Sequence, residues 1–136
     1  MAHTYEIPIE LVSQQRIDAT VHGHLIRTDQ PIGRGGHDAA PSPFDLFLAS
    51  IGTCAGLSIQ TFCVKRDIPF QGIGIIEEIA LDDHGVLTGV EVRITLPEGF
   101  PPRYVTALHK VVAQCAVARS VLARPNFTVT THKSDA

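Results

Sequence analysis

Tryptophan is absent from this 136-residue chain, methionine occurs once, tyrosine twice and cysteine only three times. So few flat side chains leave little on which to stack bases. Basic residues are sparse as well. The 11 Lys and Arg against 14 Asp and Glu give a formal charge of -3, and they form no cluster, so a nucleic-acid partner is not expected. Three cysteines, at 54, 63 and 115, are too few and too scattered for a disulfide scaffold or a zinc knuckle. No uninterrupted apolar run approaches the roughly 20 residues of a membrane span. The first residues, Met1 to Pro8, lack the basic, apolar and small-residue segments of a signal peptide. The expectation is a soluble, cytoplasmic protein, without a membrane partner, whose cysteines start as thiols.

Apolar residues, by contrast, are plentiful: 44% are hydrophobic and 18% charged, enough for the core of a single domain over residues 1–136. Tyr5, Ile7, Ile9 and Leu11 alternate with polar residues as in a half-buried strand, and Pro8 places that strand at an edge. A second alternation runs from Ile17 to Leu25. Pro31 to Pro43 is a loop, permissive around Arg34-Gly35-Gly36-His37. Ser42-Pro43-Phe44-Asp45 reads as a helix start, with Ser42 as cap, Pro43 at the first position and Asp45 completing a capping box. The helix that follows, to about Arg66, is apolar nearly all round and therefore predicted to be buried, by the rest of the fold or by a second protomer. Strands are predicted over Gly72–Leu81 and Thr88–Leu96, joined by the turn residues Asp82-Asp83-His84-Gly85. An amphipathic helix spans Arg103–Arg124, and Phe127, Val129 and Thr131 form a last short strand. The order β-β-α-β-β-α-β defines an α+β domain.

Cys54 lies in Gly52-Thr53-Cys54-Ala55-Gly56, mid-helix. Each glycine there costs about 1 kcal/mol relative to Ala, so the pair points to close approach by another backbone or a ligand. Cys54 alone reads first as a small packed residue. Cys115 changes the balance, because it sits mid-stripe on the only other long helix. Packed helices lie about 8–10 Å apart, and small residues at the contact permit the roughly 4.4–6.8 Å Cα separation of a disulfide. Arg119, four residues on, shares the face of Cys115. Cys63 is half a helical turn away from Cys54 and is assigned to packing.

Two segments carry a resemblance. Gly35-Gly36-His37-Asp38-Ala39-Ala40-Pro41-Ser42-Pro43-Phe44-Asp45, continuing to Cys54, resembles the helix entry and first reactive cysteine of the OsmC/organic hydroperoxide resistance superfamily. Gln114-Cys115-Ala116-Val117-Ala118-Arg119 resembles its second-cysteine helix. The resemblance implies an OsmC-like fold and an intertwined homodimer with thiol sites at the interface. It implies reduction of organic hydroperoxides in which Cys54 attacks and Cys115 resolves, with no bound cofactor and an external dihydrolipoyl-type dithiol as reductant. The chain departs from the pattern at four places. Phe44 stands where hydroperoxide-resistance members usually carry Glu, with Asp45 one place later. His24 stands about where the active branch has a substrate-orienting Arg, and Ala116 where members often have Pro.

An unperturbed thiol of pKa about 8.5 is only a few per cent ionised at pH 7. Lowering that pKa to about 6 raises the thiolate roughly 30-fold but removes a factor of about 13 in nucleophilicity, a net gain of about twofold. Orientation of the O–O bond and protonation of the leaving alkoxide must supply the rest. Cys54 is about 16 Å from the start of its helix, beyond the reach of that helix dipole, so a side-chain cation is sought among Arg34, Arg119, Arg27 and His24. Each polar candidate also has a plainer role: Asp45 as a cap, Arg34 as a surface charge, Arg119 as the partner of a carboxylate. His22 and His24 on one strand face lack a third ligand, so no metal is expected. Three functions stay open: a thiol-dependent hydroperoxide reductase, a dimeric binding protein holding a small apolar or thiol ligand without turnover, and a structural dimer with inert cysteines.

Overall fold

The computed structural model describes residues 2–134 and shows a mixed α+β chain. It forms two compact units, one up to Ala49 and one from Ser50.

The first unit is a three-stranded antiparallel sheet, β1 (Ile9–Ser13), β2 (Arg16–Val21) and β3 (His24–Thr28), in the order β1-β2-β3. The alternation predicted as one strand over Ile17–Leu25 is thus a hairpin. His22 and Gly23, at φ 47° and 82°, make its two-residue turn, the left-handed pair that matches strand twist. Val21 pairs with His24 and Ala19 with Ile26, so the turn removes His22 from any strand face shared with His24.

After β3 the chain wraps around Asp29, which is fully buried. Its carboxylate accepts the N–H groups of Gln30 (2.8 Å), His37 (3.2 Å) and Ala39 (3.1 Å). Burial pushes this carboxyl up, but the amides of Ala39, Gln30 and His37 outweigh burial and hold it below the ordinary carboxylate range. Gly36 has no room for a side chain: a Cβ would overlap the Gln30 carbonyl and lie 2.7 Å from the Asp29 carboxylate. Ser42 then caps the long helix α1 (Pro43–Lys65), its Oγ accepting the Asp45 N–H at 3.2 Å. This is the Ser42 half of the capping box predicted for that segment.

The second unit contains most of α1, the antiparallel hairpin β4 (Gly74–Leu81) and β5 (Leu87–Thr95), and the helices α2 (Val105–Ala113) and α3 (Ala116–Leu122). The β4–β5 turn is closed by Asp82, whose Oδ1 accepts the N–H groups of His84 and Val86. A core of Ile59, Phe62, Cys63, Ile68, Phe100 and Leu108 holds the unit together. Arg66 caps this core at its edge, stacked 3.7 Å over the Phe62 ring.

Three further elements differ from the sequence reading. Only one stripe of α1 is buried in the single chain, Ala55, Ile59, Phe62 and Cys63, while Phe44, Phe47, Leu57 and Val64 remain exposed. α1 is also long and apolar enough to cross a membrane by those two measures alone, which core helices satisfy too. The predicted Arg103–Arg124 helix is broken: Gln114 and Cys115 leave helical geometry, Cys115 with ψ 157°, and the axis bends by 53°. The strand expected over Phe127–Thr131 does not form. A strand requires a paired edge, and Phe127 and Val129 project into solvent.

Gly36→Ala is expected to lower stability by about 1–3 kcal/mol through overpacking against fixed backbone, read as a lower urea midpoint. Gly33→Ala, where nothing lies within 4 Å of the added Cβ, serves as the control. An unchanged midpoint for Gly36→Ala would contradict the description of this loop.

Candidate active site

The break between α2 and α3 builds the site. Residues at the start of a helix have N–H groups without intrahelical partners, and Cys115, as the residue before α3, makes no side-chain cap bond to them. Cys54, projecting from the middle of α1, takes their place. Its sulfur accepts hydrogen bonds from the N–H of Val117, the thiol of Cys115 and the N–H of Ala116, and the Arg119 guanidinium adds its positive charge. The Val117 amide is the largest of these influences. Burial opposes them, yet the balance leaves the Cys54 thiol below the ordinary thiol range.

Cys54 is half-buried and Cys115 buried; both are free thiols. Cys63 is fully buried in the core, where desolvation pushes its thiol up against the weaker pull of Arg66. The three cysteines therefore occupy two environments: a hydrogen-bonded pair and an isolated core thiol.

The structure brings together Cys54, Cys115 and Arg119. The other sequence candidates belong to the first unit and are placed there by local structure. Arg34 ends a short 3-10 turn, Ile32–Arg34, His24 opens β3, and Asp45 lies in the first turn of α1 with its N–H capped by Ser42. The glycines flanking Cys54 accommodate β4 rather than another backbone. A Cβ at Gly52 would stand 2.6 Å from the Glu77 carboxylate, and one at Gly56 would touch Ile75 at 3.6 Å.

Sequence reasoning missed the two donors that matter most, the Ala116 and Val117 amides. It sought a cation because α1's own N-terminus is too distant, whereas the free amides come from α3. The available signal was Ala116 itself. Proline is favoured at the first residue of a helix, so a position where resembling chains often carry Pro marks a helix start.

Two cavities flank the thiols. A groove of about 430 Å³ runs along α1 past Cys54, Ser58 and Thr61 to Lys65 and Arg66, with Phe62 and Val111 in its wall. A second cavity, about 320 Å³, is lined by Cys115 and by aliphatic side chains of β5, α2 and α3. Among the described residues no group of three His, Cys, Asp or Glu is placed to hold a metal.

Comparison with known proteins agrees with this architecture. A sequence model of the family described as OsmC-like protein matches residues 35–130. The chain belongs to the OsmC-like family. It is similar in fold to a protein of Psychrobacter arcticus described as osmotic-stress-induced and of the detoxification response, at TM-score 0.73 and 20% identity, covering 88% of this chain and 90% of that one. An OsmC-like protein of Mycoplasma pneumoniae aligns at TM-score 0.66 and 11% identity over 91% of each chain. An organic hydroperoxide resistance protein of Elizabethkingia anophelis aligns at TM-score 0.58 and 18% identity, over 91% of this chain and 93% of that one. Comparison with curated protein sequences gives no match.

Iodoacetamide should alkylate Cys54 with a pH midpoint below about 8.5 and leave Cys63 intact until the protein unfolds. Arg119→Gln removes a cation that favours the thiolate. It should raise the midpoint and slow alkylation at pH 7 by about two- to threefold, the scale of an exposed charge. A wild-type midpoint at or above that of a free thiol would contradict the hydrogen-bonding description.

Proposed function

We propose that the protein reduces organic hydroperoxides, with Cys54 as the attacking thiol and Cys115 as the resolving one. The observation that carries this is the seat of Cys54: a half-buried thiol below its ordinary range, hydrogen-bonded to Val117, Cys115 and Ala116 and opening onto a groove. Family membership and the hydroperoxide resistance protein among the fold neighbours support the same chemistry.

The Cys54 thiolate attacks one peroxide oxygen. An S–O bond forms, the O–O bond breaks, and the leaving alkoxide takes a proton to become an alcohol. Cys115, whose S–H faces the Cys54 sulfur, gives that proton and becomes a thiolate. It then attacks the Cys54 sulfenic acid; an S–S bond forms and hydroxide departs, protonated to water. Two thiols thus supply the two electrons. An external dithiol of the dihydrolipoyl type returns the disulfide to thiols, so no bound cofactor is needed. The apolar wall of the groove, Phe62 and Val111, favours an organic peroxide over hydrogen peroxide.

We propose a cytoplasmic homodimer; the exposed apolar side of α1 gives a second copy a surface to bury.

Dimedone labelling after one equivalent of cumene hydroperoxide tests it. Cys115→Ser should consume one peroxide and trap a labelled sulfenic acid on Cys54; Cys54→Ser should be inert. Label on Cys115 in Cys54→Ser would invert the roles. No label in either folded variant would replace the peroxidase by a binding protein, and sedimentation as a 14.7 kDa species would remove the dimer.

A further inference from the structure

The two thiols open onto different spaces. Cys54 lines the groove and not the aliphatic cavity; Cys115 lines the cavity and not the groove. The cavity's walls are Val90, Val92, Val112, Val121 and Leu122, without a charged group among its lining residues. Its volume of about 320 Å³ falls within the range of small-molecule sites, about 300–1,000 Å³.

Given the two-cysteine chemistry above, we propose that this aliphatic cavity is the docking site of the apolar dithiol that regenerates the enzyme, and that the dithiol attacks Cys115 rather than Cys54. Two independent features lead there. The first is access, because a thiolate entering the cavity meets Cys115, which lines it, and not Cys54, which does not. The second is the leaving group. When a disulfide is attacked at one sulfur, the other departs with the bonding electron pair, and it departs faster the better its thiolate is stabilised. The Val117 and Ala116 amides and Arg119 all stand at Cys54, so Cys54 is the sulfur prepared to leave. The peroxide and the reductant then use opposite members of the pair, each from its own cavity.

The step balances. One thiolate of the dithiol bonds to the Cys115 sulfur, the Cys54–Cys115 bond breaks, and Cys54 leaves as thiolate. The second thiol of the reductant, once deprotonated, attacks the reductant sulfur held in the mixed disulfide. Cys115 leaves and is protonated. The reductant, now a cyclic disulfide, has given two electrons to the protein disulfide.

A monothiol stops the sequence at the mixed disulfide. The protein disulfide is made with diamide, so regeneration is read whether or not peroxide is turned over. 1-Octanethiol is then added, the reaction is quenched in acid, free thiols are alkylated and the adduct is mapped by mass. The octyl adduct is expected on Cys115 with Cys54 alkylated. An adduct mainly on Cys54, or failure of diamide to link the pair, would overturn the proposal. Leu122 is 78% exposed, so Leu122→Gln leaves the fold intact while making one wall polar. It should slow reduction by octanethiol about tenfold and leave reduction by 2-mercaptoethanol unchanged. Equal rates with octanethiol in both proteins would remove the cavity from the account. Reduction through Cys115 in a protein that makes no disulfide with peroxide would sink the peroxidase function and leave this assignment standing.

Discussion

The chemistry of this protein rests on a helix that stops two residues short of continuing. Had α2 run on through Gln114 and Cys115, the amides of Ala116 and Val117 would have been spent on carbonyls four residues back. Because the chain turns extended at Cys115, those donors are free, and the Cys54 sulfur receives them. Hydrogen bonds to a charged acceptor contribute about 1.5–3 kcal/mol each, enough to outweigh the burial that would otherwise keep a half-buried thiol protonated. The same interruption places the second thiol beside the first. One backbone irregularity thus accounts for both the lowered Cys54 thiol and the second thiol beside it.

The arrangement gives the three cysteines separate fates. Cys63, one stripe round α1, is enclosed by Ile59, Phe62 and Leu108 and raised by desolvation, which sets it apart from the hydrogen-bonded pair. Cys54 and Cys115 share a hydrogen bond but open onto unlike surroundings, a groove ending in two cations and an aliphatic cavity. For any thiol, even a pKa lowered to about 6 would alone give only about a twofold gain at neutral pH. In the proposed peroxidase, the positioning of substrate and the proton on Cys115 therefore supply most of the rate.

Much of the fold was legible because it depends on local chemistry. Ser42-Pro43 capping α1 and Asp82-Gly85 closing β4 to β5 follow from side-chain hydrogen bonds within a few residues. Cys54 could be singled out by its flanking glycines, and Cys115 and Arg119 by a shared helical face. The hairpin at His22-Gly23 escaped because the hydrophobic alternation continues in phase across the turn, although the pairing of Val21 with His24 reverses the faces beyond it. The break at Cys115 escaped for a similar reason: Leu108, Val111, Cys115, Ala118 and Leu122 keep helical spacing through it. Asp29 was invisible because its three amide donors lie in a loop with no periodicity. Backbone donors leave no letter in a sequence, which is why a side-chain cation was sought for Cys54.

The amides can be observed directly. In a two-dimensional nitrogen–proton spectrum followed through pH, the Val117 and Ala116 resonances should shift as Cys54 ionises, with a midpoint below the roughly 8.5 of a free thiol. Both shifts should vanish in Cys54→Ser. Resonances that stay flat through the thiol titration, or that move identically without Cys54, would contradict the hydrogen bonds on which the site depends.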